Sequence, residues 1–115
     1  MIVIKAVSRV TADSIDPVVE EVTEIRARTL RRAGVLGYDF FRQDDDHVVA
    51  IEVYADSDVL AAHIDAGGFE GLFELLEIER IELMGPVSAE VRGRFEAMAN
   101  VSMYPSLTAD RMGVR

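Results

Sequence analysis

Cysteine is absent from these 115 residues, which removes disulfides, thiolate nucleophiles and cysteine-based metal sites. No apolar run approaches the roughly 18 residues that a membrane-spanning helix needs. The opening stretch MIVIKAVSRV is too short and too soon charged for a signal peptide, so a cytoplasmic location is expected. Positive charge is scarce as well: 12 Lys+Arg against 21 Asp+Glu gives a formal charge of −9, with no basic stripe to interrupt it. Such a surface repels phosphate backbones and anionic lipid, so neither nucleic acid nor a membrane is an expected partner. A Gly-x-Ser-x-Gly nucleophile elbow is also missing.

What is present fits a packed globule. Half the residues are hydrophobic and 29% are charged, a balance that excludes disorder and suits one core in one domain, residues 1–115. Residues 2–10 are rich in β-branched side chains and predict a strand. Asp16-Pro17 offers an N-cap and first-turn pair, with an earlier start at Asp13 or Ser14 as the alternative. From there Ile15, Val18, Val22, Ile25 and Thr29 recur at helical spacing and predict a helix of about five turns. Its acidic residues Glu20, Glu21 and Glu24 precede Arg26, Arg28, Arg31 and Arg32, in keeping with the helix dipole, and Gly34 supplies the stop. Leu36–Arg42 and His47–Tyr54 predict a hairpin joined by Gln43-Asp44-Asp45-Asp46.

Asp56 or Ser57 caps a second helix, which Gly67-Gly68 breaks before a helical pattern resumes over Phe69, Leu72, Phe73, Leu75 and Leu76. A fourth strand is expected over about Glu79–Met84. The order β-α-β-β-α-β is that of the ferredoxin-like α+β fold, an antiparallel sheet with helices on one face. Residues 85–115 read as an extension: a short helix capped by Ser88, a small edge strand over Val101–Tyr104, and a loosely held tail over Thr108–Arg115.

The strands are apolar on both faces. Val49, Ile51 and Val53 alternate with Val48, Ala50 and Tyr54, and Glu52 is the only charge among them. One chain has helices for one side only, so a second sheet is the economical cover, and a homodimer is expected. The alternative is that the C-terminal extension folds over that face.

Gly37-Tyr38-Asp39-Phe40-Phe41-Arg42, Ile51-Glu52-Val53-Tyr54-Ala55-Asp56, and Leu60-Ala61-Ala62-His63 with Phe69 together resemble the antibiotic-biosynthesis monooxygenase-like superfamily over about residues 1–84. The resemblance implies a dimeric α+β barrel with a cavity between sheet and helices. Its members include cofactor-independent oxygenases, haem-degrading enzymes and isomerases. Haem-degrading members use a first-strand Asn, a Trp and a helical His. This chain has no Trp, and its only Asn is Asn100.

Six residues are candidates for the site. His63 can act as a proton acceptor from a phenol or carbon acid, or can hold its helix by a structural hydrogen bond. Glu52, lone among apolar neighbours, can accept a proton if burial raises its pKa, or can pair with Arg42 across the hairpin. Tyr38 and Tyr54 can orient a ligand or serve as core, and Phe40 and Phe69 complete the expected ligand contacts. Asp44-Asp45-Asp46-His47 reads as a solvated hairpin loop, and no metal is expected. Gly67-Gly68 lacks a phosphate-loop context and suits a flexible joint instead. The function expected is a monooxygenase that needs no cofactor, acting on a small aromatic or carbonyl compound. The alternatives are an isomerase on the same scaffold and a non-catalytic dimer that binds a small molecule.

Overall fold

The computed structural model describes residues 1–68 and 70–107. Five strands form one sheet: β1 (Ile2–Val10), β2 (Val35–Arg42), β3 (His47–Tyr54), β4 (Leu76–Met84) and β5 (Asn100–Tyr104). Three helices accompany them, α1 (Asp16–Leu30), α2 (Ser57–Asp65) and α3 (Ala89–Glu96). The strand order is β2-β3-β1-β4-β5, which puts the apolar β1 at the centre. β1 runs antiparallel to both β3 and β4, whereas β5 lies parallel to β4. The expected antiparallel sheet is therefore mixed. The chain leaves β4, crosses through α3 and returns in the same direction, which a helical crossover permits and a hairpin does not.

Alternation divides each strand between two faces. Ile2, Ile4, Ala6 and Ser8 of β1 align with Tyr54, Glu52, Ala50 and Val48 of β3 on the helix side. The helices cover this side: Val18 and Ile25 of α1, Leu60 of α2, and Val91 and Phe95 of α3 are all buried in one core with Ile2 and Ile4. The other face carries Val3, Lys5 and Val7 beside Val53, Ile51 and Val49. Phe41 on the same side is 53% exposed. Since Val91 and Phe95 belong to the helix-side core, α3 does not cover this open face.

Three local expectations are corrected. Helix α1 starts one residue earlier than an Asp16 cap implies: Ile15 is the cap residue and makes no side-chain bond, while Asp16 lies in the first turn. At 15 residues α1 has about four turns. No helix resumes after Gly67-Gly68; a single 3-10 turn, Glu70–Leu72, is all that forms before β4. Finally, β4 begins at Leu76 rather than Glu79, because a β-bulge breaks the alternation. The pairing steps from Val7–Arg80 to Ser8–Ile78 and leaves Glu79 as the extra residue. That one-residue shift keeps Ile78 and Leu76 on the same face as Ile81 and Leu83 and turns Glu77 and Glu79 outward.

Caps and turns elsewhere follow local chemistry. The Asp56 carboxylate accepts from Val59 N at 2.9 Å, and Ser88 Oγ accepts from Val91 N at 3.3 Å. Gly34 adopts φ 85° between α1 and β2, and a Cβ there would strike Val59 at 2.5 Å. Among the described residues no helix is long and apolar enough to cross a membrane. Phe69 and the expected tail Thr108–Arg115 lie outside the described residues.

Candidate active site

The site begins with two small residues. Ala6 of β1 and Ala50 of β3 are directly paired at the middle of the helix-side face. Their short side chains leave a hollow that bulkier neighbours frame. Phe40 of β2 and Ile78 and Ile81 of β4 form the walls; Leu72 and Phe73 after the 3-10 turn, with Phe95 and Met98 at the end of α3, form the roof. The cavity measures about 40 Å³. Phe73 is half exposed, so one roof residue also meets solvent.

Two polar side chains reach this apolar hollow, Glu52 and Ser8. They stand four β1 positions apart, since Glu52 is paired with Ile4. Glu52 is 2% exposed and is the sole ionisable group in the lining. Burial pushes its carboxyl from an ordinary 4.5 up to about 7, and a hydrogen bond from Tyr54 partly opposes that rise. The Tyr54 hydroxyl donates to Glu52 Oε1. Near neutral pH the two protonation states of Glu52 are thus comparably populated, the condition under which a carboxyl exchanges protons readily in both directions.

Behind Glu52 lies an aromatic cluster. The His63 ring sits 5.5 Å from the Tyr38 ring and 5.6 Å from that of Tyr54, and Tyr38 stacks edge-on against Phe40 at 5.4 Å. Burial holds both tyrosine hydroxyls well above their ordinary pKa, with the Glu52 carboxyl adding to the effect, so both keep their protons. Burial, then Arg32 and Arg28, depress His63 to about 4, leaving a neutral imidazole at pH 7. Helix α2 presents His63 to the sheet, and the backbone of Gly68 closes over it so tightly that a Cβ would come within 2.3 Å of the ring.

The six candidates thus divide. Glu52 and Phe40 line the cavity, whereas Tyr38, Tyr54 and His63 do not. His63, expected at the cavity edge, packs instead on the tyrosines; Tyr38 and Tyr54 support Glu52 from behind rather than meeting a ligand in the hollow. Phe69 lies outside the described residues. Arg42, the other expected partner of Glu52, turns outward to Asp45 Oδ1 and the Asp44 carbonyl. His47 sits between Asp44 Oδ1 at 2.9 Å and Glu79 Oε1 at 3.0 Å, a clip joining the hairpin loop to the bulge of β4.

Sequence reasoning passed over Ser8 and the Ala6–Ala50 floor. Ser8 carried a legible signal, because it continues the Ile2-Ile4-Ala6 phase of a core-facing strand with a polar side chain. The roof carried none, since Phe95 and Met98 arrive from the far end of the chain. A larger groove of about 350 Å³ runs between α1 and β2, but its charged groups are already paired, Arg26 with Asp39 at 3.3 Å and Arg42 with Asp45 at 3.4 Å.

Comparison with known proteins bears on this arrangement. MupZ from Pseudomonas fluorescens superposes with a TM-score of 0.79 at 19% identity, covering 99% of this chain and 93% of MupZ. SnoaB from Streptomyces nogalater, a cofactor-independent oxygenase, gives 0.65 at 16% identity over 76% of this chain and 94% of its own. A conserved protein of unknown function from Bacteroides thetaiotaomicron gives 0.63 at 26% identity over 71% of this chain and 93% of its own. No functionally curated protein matches the sequence. The sequence profile of antibiotic biosynthesis monooxygenases matches residues 1–74, about two thirds of the chain. The protein therefore belongs to the antibiotic biosynthesis monooxygenase family.

Proposed function

We propose that this protein is a cofactor-independent monooxygenase that works as a homodimer and oxidises a small, mostly apolar phenol or carbonyl-activated carbon acid held above Ala6 and Ala50. The observation that carries this reading is Glu52: one buried carboxyl, raised to about 7, in a cavity lined otherwise by apolar side chains and one serine. A base in that setting takes a weakly acidic proton without water competing for it. The fold shared with SnoaB, itself a cofactor-independent oxygenase, supports the same chemistry.

The reaction balances with dioxygen as oxidant and the substrate as reductant. Glu52 removes a proton from the substrate, and the resulting anion gives one electron to dioxygen. Recombination forms a carbon–oxygen bond and a peroxide. Loss of the second C–H proton with cleavage of the O–O bond leaves a carbonyl and releases water, so R₂CH₂ + O₂ becomes R₂C=O + H₂O. Glu52 returns its proton to the departing hydroxide. Tyr54 stays protonated throughout and stabilises the carboxylate between turnovers.

Dimerisation is part of the proposal because the open face of the sheet carries Val3, Val7, Val49, Ile51 and Val53 with no helix among the described residues above them. An apolar sheet face of this kind is covered by another sheet at low cost in specificity.

Oxygen uptake with phenol and with 2,4-pentanedione tests the reaction. The wild type is expected to accelerate consumption in a 1:1 ratio with the carbonyl product, and Glu52→Gln to slow it by about 100-fold or more. An unchanged rate in Glu52→Gln overturns the assignment of the base. Binding of both compounds with no oxygen consumed makes the protein a binding module rather than an oxygenase.

A further inference from the structure

We infer that Phe73 is the specificity-determining residue at the entrance: ligands reach Glu52 from an adjoining outer pocket, past the Phe73 ring, which admits narrow ligands faster than wide ones. The inference rests on the reading of the Ala6–Ala50 hollow as the ligand site and adds to it an entrance and a filter.

The starting point is a shortfall of space. The hollow measures about 40 Å³, whereas a dry apolar cavity that takes a benzene ring measures ~150 Å³. A phenol therefore enters only where the lining gives way. Ile4, Leu72, Leu76, Ile81 and Phe95 are buried in the packed core, where side chains have little room to turn. Phe73 differs, because it roofs the hollow and is nevertheless 51% exposed.

Beside it lies an outer pocket of about 560 Å³, lined by Phe73, Thr11, Leu76, Glu77, Ile78 and Met98. Phe73, Leu76, Ile78 and Met98 line both spaces, so the two adjoin. Leu76 and Ile78 belong to β4 and give them a common wall. That leaves the Phe73 ring and the unbranched Met98 side chain as the parts that can yield.

The backbone around Phe73 is tied down, so the moving part is the side chain. Phe73 N donates to Glu70 O at 3.4 Å, and Leu75 N to Leu72 O at 2.9 Å. Leu75 O accepts in turn from Thr11 N at 2.9 Å and Ala12 N at 3.3 Å. Outward rotation of the ring joins the hollow to the outer pocket, and exposed side chains change rotamer quickly. Among the described residues Glu77 is the one charged group lining the outer pocket, and it pairs with Arg9. A neutral, apolar ligand thus meets no bare charge on its way in.

A rival route past Phe40 is obstructed. Phe40 also borders the groove between α1 and β2, yet among the described residues it alone lines both spaces. Its ring packs edge-on against Tyr38 at 5.4 Å, which holds it in place.

Fluorine-19 exchange NMR with 4-fluorophenol and the wider 4-(trifluoromethyl)phenol reads association rate, dissociation rate and Kd together. Removing a gate speeds entry and exit alike, whereas removing a wall contact speeds exit and weakens binding. Phe73→Ala is expected to raise both rates by about 10-fold or more and to leave Kd within about 3-fold of wild type. Wild type should admit 4-fluorophenol faster than the wider compound, and Phe73→Ala should remove that difference. Phe73→Leu, which keeps an apolar roof, should fall between. Unchanged rates in both Phe73 variants, or a rise in dissociation alone, overturn the gate and leave the cavity reading standing. Faster exchange in Phe40→Ala than in Phe73→Ala moves the entrance to the groove beside α1 and also overturns it. If neither compound binds wild type, the cavity reading falls and the gate falls with it.

Discussion

Tyr54 donates its hydroxyl to Glu52 two positions earlier on the same strand, so donor and acceptor share the helix-side face of β3 and lean on one another within the core. The geometry follows from strand alternation alone: residues two apart point the same way, and both side chains are long enough to meet. Its consequence is electrostatic. The bond favours the ionised carboxyl against the burial that disfavours it, and the balance of the two sets Glu52 at about 7.

Removing that donor shifts the balance upward. Tyr54→Phe should raise the Glu52 pKa by about 1 unit, because a hydrogen bond to a charged group contributes about 1.5 kcal/mol or more. Carboxyl titration by carbon-13 NMR, or by infrared carbonyl absorption, checks this. A pKa that stays at about 7 would mean burial alone determines it.

Glu52 and His63 pull stability in opposite directions with pH. Glu52 is raised on folding, so its contribution is full below about 4.5 and is lost as pH rises to about 7. His63 is depressed on folding, so its contribution is present above about 6.5 and is lost as pH falls to about 4. Each shift is worth about 3 kcal/mol across its window. Between pH 4.5 and 6.5 the two slopes cancel. Relative to wild type, Glu52→Gln should therefore lose stability on acidification below pH 6.5, and His63→Phe should lose it as pH rises above 4.5. Urea unfolding from pH 4 to 8 reads both, and parallel profiles in all three proteins would refute the opposition.

Tyr38 holds a buried hydroxyl with no hydrogen-bond partner among the described residues. Leaving such a group unsatisfied costs about 1–3 kcal/mol. Tyr38→Phe, which keeps the ring against Phe40 and His63, should stabilise the fold by about 1 kcal/mol in denaturant unfolding. Destabilisation would show that the hydroxyl is satisfied in solution.

Gly68 is required by the histidine beneath it rather than by its own backbone angles. A Cβ there falls 2.3 Å from two atoms of the His63 ring, a contact that both groups must move to relieve. Gly68→Ala should cost about 1–3 kcal/mol, as overpacking of a tight core does. The double variant with His63→Ala should recover much of that loss, which thermal unfolding of the pair checks.

Ile51 lies at the middle of the open sheet face, flanked on β1 by Lys5. In a symmetric dimer that buries this face, Ile51→Glu buries two carboxylates at once, with only Lys5, already beside Glu82, within reach of each. Sedimentation should show the dimer weakened by about 100-fold or more. A wild type that is already monomeric at micromolar concentration would overturn the dimer.

Sequence alone determined the scaffold, because scaffold is written in local periodicity. The three-and-four spacing through Val18, Val22, Ile25 and Thr29 makes α1 whatever surrounds it, and the eight residues His47–Tyr54 alternate so regularly that β3 could face only two ways. A lone Glu52 in that strand marked the place where burial and charge would conflict. Tertiary structure decided what local pattern cannot hold. It moved the start of β4 back to Leu76, because nine residues of β1 offered pairing and a bulge at Glu79 made the out-of-phase hydrophobics agree. It withdrew His63 and the two tyrosines from the cavity, since only the packing of α2 on the sheet fixes how far a helix residue reaches. It also joined Ser8, Ala50 and Phe95 around one hollow, residues whose separation along the chain leaves no trace of the contact until strands and helices close on a common core.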